Sequence, residues 1–173
     1  MKRALSLAAL LLLAACRAAA PGDIPKIVFG RDACARCGMI VSEARFASGY
    51  VDASGKSVIF DDVGELVAAA AGDPEISKAA FVPDIEDAAL IPAESAFFVR
   101  IPSLATPMGT GVSAFKDQAR AEAFSRSRGG DGILSWAAAR EMAKRQPEVP
   151  RVARGADEQA ASRPAHELAA LKP

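Results

Sequence analysis

The chain has 173 residues, 51% of them hydrophobic, and its 21 basic and 21 acidic residues balance to a formal charge of zero. Such a balance offers no basic stripe for a phosphate backbone, so no nucleic acid is expected as a partner. The apolar fraction is inflated by an N-terminal run and an alanine-rich C-terminal stretch, which leaves one small globular unit, or two half-sized subunits, in residues 26–146.

Met1-Lys2-Arg3 is a short basic segment, and residues 4–13 form an apolar run too short to span a membrane as a helix. Residues 1–15 therefore read as a signal peptide. The run ends Leu13-Ala14-Ala15-Cys16, the form of a bacterial lipobox, whose small residues admit the peptidase and whose cysteine sulfur takes a diacylglycerol. A buried acyl methylene contributes about 0.8 kcal/mol. A lipidated Cys16 thus holds the exported domain on a membrane without a transmembrane helix. The alternative is an ordinary secretory signal cut nearby, with Cys16 incidental. Arg17 stands where an aspartate would favour inner-membrane retention, which leaves outer-membrane sorting open. With Cys16 acylated, Cys34 and Cys37 remain as thiols in a compartment that tends to oxidise them.

Residues 16–25 read as a tether broken by Pro21, Gly22 and Pro25. Residues 26–29, Lys-Ile-Val-Phe, are expected to form a first strand. After the cysteines, Phe46, Ser48 and Tyr50 alternate, a polar turn follows at residues 53–56, and Val58-Ile59-Phe60 completes a hairpin. Asp61 or Asp62 can cap the next helix, with Glu65 three residues after Asp62 as in a capping box and Val63, Leu66, Val67 and Ala70 on its buried face. Gly72-Asp73-Pro74 ends it.

The second half replays this order: a strand at 96–101, a long connection at 102–111, a strand at 112–115, and a helix from Asp117 to Ser125 with Phe115, Ala119 and Ala123 on one face. Phe60-Asp61-Asp62 and Phe115-Lys116-Asp117 occupy matching points at the strand-to-helix step. The expected fold is α+β, built of two packed strand-strand-helix units. Ile133-Leu134 adds a short strand, and Ser135 caps a last helix at 136–146, with Trp136 as core. Residues 147–173 hold almost no large apolar residue and are expected to be disordered. They carry His166, the only histidine, read as a solvated residue.

Chemistry concentrates in Cys34-Ala35-Arg36-Cys37-Gly38-Met39. A zinc knuckle needs two further thiolate or imidazole ligands, and none follows before Gln146. A thioredoxin-like pair belongs at a helix N-terminus, whereas Gly38-Met39-Ile40-Val41 reads as a loop entering an extended segment. A structural disulfide across so short a loop would constrain little. Thiolate and thioether are soft donors of the kind that select Cu(I), and a copper site uses Met39, which the other readings leave as filler. A second thioether stands in Thr106-Pro107-Met108-Gly109. Pro107 fixes one backbone angle and Gly109 lacks a side chain, so Met108 is presented in a rigid turn. If the two halves pack together, this loop can face the cysteine loop and a soft site forms between them.

The combination of lipobox, Cys-x-x-Cys-Gly-Met, and Thr-Pro-Met-Gly followed by Val112-Ser113-Ala114-Phe115 resembles the NosL family of nitrous-oxide-reductase accessory lipoproteins. The resemblance implies two strand-strand-helix-type units related to the N-terminal part of organomercurial lyase. It also implies a Cu(I) carrier, without catalysis of its own, that supplies nitrous oxide reductase or its assembly machinery. Carried onto this chain, the implied ligands are Cys37, Met39 and Met108, with Cys34 as a further neighbour. The chain departs from many relatives in lacking a histidine- and methionine-rich tail, and has Asp61-Asp62 where some place a Phe-Cys pair. The competing functions are a thiol-disulfide protein acting through Cys34 and Cys37 on an assembly client, and a metal-free interaction lipoprotein.

Overall fold

A computed structural model describes residues 22–145. The expected signal peptide, the lipidation site Cys16, most of the tether, and the tail with His166 lie outside the described residues. No helix among the described residues is long and apolar enough to cross a membrane.

The chain forms β1 (Ser48–Val51), β2 (Ser57–Phe60), α1 (Val63–Gly72), α2 (Pro74–Ala79), β3 (Phe81–Pro83) and β4 (Leu90–Pro92). A 3-10 turn (Ala93–Ser95) then leads to β5 (Phe97–Arg100), β6 (Val112–Phe115), α3 (Gln118–Arg128), β7 (Ile133–Leu134) and α4 (Trp136–Lys144). Two antiparallel sheets result, ordered β2-β1-β3-β4 and β6-β5-β7. A parallel bridge between Asp84 and Ala114 joins the end of β3 to β6, with the Ile85 N–H donating to Ala114 O at 3.0 Å.

The duplicated order is present. In the first hairpin Ser48 pairs with Phe60, and in the second Phe97 pairs with Phe115, so each returning strand ends on a phenylalanine opposite the start of its partner. Two residues further on an aspartate caps a helix: Asp62 accepts from the Gly64 N–H and Asp117 from the Arg120 N–H. Gly55, at φ +84°, closes the first hairpin turn with its N–H on Asp52 O at 2.9 Å. The second unit's connection runs through Gly111, where φ is +68° and an added Cβ would lie 2.2 Å from Ile101 O.

Two expectations need correction. Residues 26–29 form no strand, because the Val28 carbonyl is taken by the N–H groups of Arg31 and Asp32 in a turn and Lys26 N–H is held by Ser57 Oγ. The α3 face is Ala121 and Ser125, not Ala119 and Ala123, because Phe124 packs its ring at a tilt against Phe115, at 5.1 Å between centroids, and orients the helix. Gly72-Asp73-Pro74 ends α1 as expected, and it also starts α2, which was not anticipated: Asp73 caps it and Pro74 sits in its first turn, where a missing N–H costs nothing.

Most of the core lies where α1 packs against α4, with α1 on β1, β2 and β6 and α4 on β5 and β7: Val63, Leu66, Val67 and Ala70 are buried as the helical spacing predicts, with Phe98 and Trp136 stacked at 5.4 Å. The Trp136 indole N–H also donates to Ser77 O at 3.1 Å, which satisfies its polar edge inside the core. A second cluster of Phe46, Ile85, Val99, Ile101, Phe115 and Ala121 lies under α3.

Candidate metal centre

The cysteine loop is a closed turn rather than a helix entry. The Cys34 N–H donates to Met39 O at 2.8 Å, the Gly38 N–H to Cys34 O at 3.0 Å, and Ala33 pairs with Ile40 in an antiparallel bridge. Gly38 supplies the left-handed residue that the reversal needs, at φ +77°. The Ala35 N–H donates to Ile59 O at 2.7 Å and fastens the loop to β2, immediately before the Asp61-Asp62 step into α1.

That attachment decides which side chains meet. Sulfur atoms of Cys34 and Cys37 and carboxylate oxygens of Asp61 and Glu65 all lie within 4.8 Å of one another. The Cys34 thiol donates to Glu65 Oε2 at 3.0 Å, and the Cys37 thiol lies 3.6 and 3.7 Å from the Asp61 oxygens. Both cysteines are free. Glu65 does not turn back to close a capping box; its carboxylate is drawn to the cysteine loop, with Arg36 Nε 3.9 Å away. Asp61 and Glu65 were invisible as site residues in the sequence, where the strand-to-helix step looked like capping alone. Their spacing of four along the start of a helix was the available signal.

Protonation follows from burial. Burial pushes the Cys34 thiol far above its ordinary range, against the pull of the Cys37 N–H aimed at the sulfur, and the Glu65 hydrogen bond raises it further. Burial also raises Cys37, while the Met39 N–H pulls it down. Glu65 is pushed up to about 7, again by burial first, with the Cys34 contact opposing and Asp61 adding to the rise. A reactive redox cysteine needs the opposite shift, toward thiolate. These thiols instead hold their protons, and Glu65 Oε2, 3.0 Å from the Cys34 sulfur, is within reach of the one on Cys34.

The two methionines are placed differently. Met39 is 53% exposed at the rim of the cysteine loop, whereas Met108 is half-buried in the connection between β5 and β6. Asp62 fixes that connection: its fully buried carboxylate accepts from Thr106 Oγ1 at 2.6 Å, the Met108 N–H at 3.0 Å and Thr110 Oγ1 at 2.5 Å, besides capping α1 through Gly64 N–H at 2.8 Å. Gly64 lets the connection approach, since a Cβ there would fall 2.5 Å from the Thr110 side chain. The cysteine loop is thus held by Asp61 and Glu65 and the Met108 loop by Asp62, at the same end of α1. Asp61 and Glu65 also complete a four-ligand set of types that zinc accepts, which the sequence had discounted for want of more thiolate or imidazole. A soft ion would be told from zinc here through the thioethers of Met39 and Met108.

Compared with known proteins, residues 26–142 match the family NosL. Among solved structures the chain is similar to the crystal structure of the copper chaperone NosL from Shewanella denitrificans, with 25% sequence identity, a TM-score of 0.55, and coverage of 66% of this chain and 94% of that one. No curated protein matches.

Proposed function

From the premise that the chain belongs to the NosL family, we propose that it is a lipid-anchored, periplasm-facing Cu(I) chaperone that supplies copper for the maturation of nitrous oxide reductase. The observation that carries this reading is the closed loop that brings two free, protonated thiols together beside an exposed thioether. Cys37, Met39 and Met108 are the proposed ligands, with Cys34 beside them. Copper is the cargo, and it need not be caged.

Loading exchanges thiol protons for the ion. The N–H groups of Cys37, Asp61 and Arg36 aimed at the Cys34 sulfur, and that of Met39 aimed at Cys37, take up thiolate charge as it forms. Release is served by the rim: Met39 is exposed, so a recipient sulfur or imidazole can approach on that side and displace one donor at a time. The protein performs no bond-making chemistry of its own in this reading. Its membrane link is Cys16, and its client is nitrous oxide reductase or the machinery that assembles it.

The test is competition for Cu(I) between the reduced protein and a calibrated chelator. Cys37→Ser should lower affinity by at least about tenfold, the equivalent of about 1.4 kcal/mol. Met39→Leu and Met108→Leu conserve volume, so each should leave apo stability within about 1.5 kcal/mol while weakening copper binding and the sulfur signal in the metal's absorption edge. If Met108→Leu binds like the parent while Cys37→Ser does not, the ion sits on the Cys-Gly-Met loop alone.

A further inference from the structure

The exposed large hydrophobic residues among the described residues are Ile24, Val28, Phe29, Met39 and Ile40, at 40–58% exposure, and they all fall in one stretch. Backbone bonds tie the two ends of that stretch together: the Gly30 N–H donates to Val41 O and the Val41 N–H to Asp32 O, both at 2.9 Å, which puts Phe29 and Ile40 each one residue from the same contact. Beside these tips opens a cleft of about 780 Å³ whose walls include Lys26, Arg31 and Lys56. Its wall carries one carboxylate, Asp32, 3.7 Å from Arg31, and Asp52 in the adjacent hairpin turn offsets part of Lys56.

We propose that this face rests on the bilayer, with the apolar tips in the interfacial layer and the basic cleft over an anionic lipid headgroup. The inference rests on Cys16 being the lipid anchor. From Cys16 the eight residues to Ile24 reach at most roughly 29 Å at about 3.6 Å each, and they deliver the chain to the first residue of the patch. Apolar tips flanked by lysine and arginine are the composition of interfacial anchors, and the cations match an anionic leaflet. Met39 is one of the tips, so docking covers a proposed copper ligand at the membrane surface, and release through the rim follows undocking.

The experiment uses the full lipoprotein, extracted with its native acyl chains and reconstituted into phosphatidylethanolamine/phosphatidylglycerol vesicles. The parent has one tryptophan, Trp136, which is 4% exposed in the core and serves as an internal reference. In Phe29→Trp, the added emission should be blue-shifted and quenched by lipids spin-labelled near the headgroup, while parent emission is not. Flotation with the vesicles without such quenching overturns the docking and leaves the anchor standing. Failure to float overturns both. A Phe29→Trp emission that shifts only when a solubilised membrane protein partner is added assigns the face to a protein and overturns the proposal. Quenching should fall in Lys26→Glu/Lys56→Glu and on neutral phosphatidylcholine; equal quenching there refutes the headgroup contact.

Discussion

Replacing Asp62 by Asn tests whether one buried carboxylate holds the two halves of the site together. The side chain keeps its volume, and its remaining oxygen can still accept from the Gly64 N–H and Thr110 hydroxyl, which meet Oδ1 in the parent. The new amide replaces Oδ2, where the Thr106 hydroxyl and the Met108 N–H converge. Thr106 can rotate and accept; a backbone N–H cannot. One donor is left facing another, at a cost of about 1–3 kcal/mol, and the surviving bonds lose charge assistance, so the total is about 2–4 kcal/mol. With an m-value of about 2 kcal/mol/M, the urea midpoint of the apo protein falls by about 1–2 M. Freed from its anchor, the Met108 loop also loses its fixed position, and Cu(I) affinity drops although Asp62 is not a proposed ligand. Thr110→Val in the same background should be less than additive, with a coupling of about 0.5 kcal/mol or more. A midpoint within about 0.3 M of the parent would refute the assignment, because an unsatisfied buried donor cannot be that cheap.

Other consequences are as direct. Glu65 has its folded pKa raised to about 7 from 4.5, so its contribution is fully present below about pH 4.5 and is lost as pH rises through 7. Apo stability should therefore decline between pH 5 and pH 8 by up to about 3 kcal/mol, and Glu65→Gln should flatten that decline; an unchanged slope in the variant places the titration elsewhere. Gly111→Ala must place a Cβ 2.2 Å from Ile101 O at φ +68°, whereas Gly109→Ala at φ +66° meets open space. Denaturant unfolding should show about 2–4 kcal/mol lost at Gly111 and only about 1 kcal/mol at Gly109, and equal losses would remove the steric explanation. Cys16→Ala should leave the precursor unlipidated, either released as soluble protein or stalled uncleaved; normal processing with full membrane retention would sink the lipobox.

Much of what depends on local periodicity and local chemistry was legible in the sequence. Alternation at Ser48 and Tyr50 and the Gly55 turn specify the first hairpin, the spacing of Val63, Leu66, Val67 and Ala70 specifies α1, and Asp62, Asp117 and Ser135 announce three helix starts, all of which the structure contains. The soft-donor motifs and their family likeness were equally legible, because cysteine and methionine carry their chemistry wherever they stand. Tertiary structure decided what local rules leave degenerate. An i, i+4 alanine pair fits any face of α3, and only the contact of Phe124 with Phe115 selects Ala121 and Ser125 as the buried one. Lys-Ile-Val-Phe has strand-like composition, yet a strand requires a neighbour, and the Val28 carbonyl was already engaged in a turn. Asp61, Asp62 and Glu65 look alike in sequence as acids at a helix start. Their separate tasks, on Cys37, on the Met108 loop and on Cys34, exist only because the cysteine loop is fastened to β2 and the second unit's connection reaches back 44–48 residues to α1. Such contacts join residues far apart in the chain, and no short-range pattern encodes which distant donor a buried carboxylate will find.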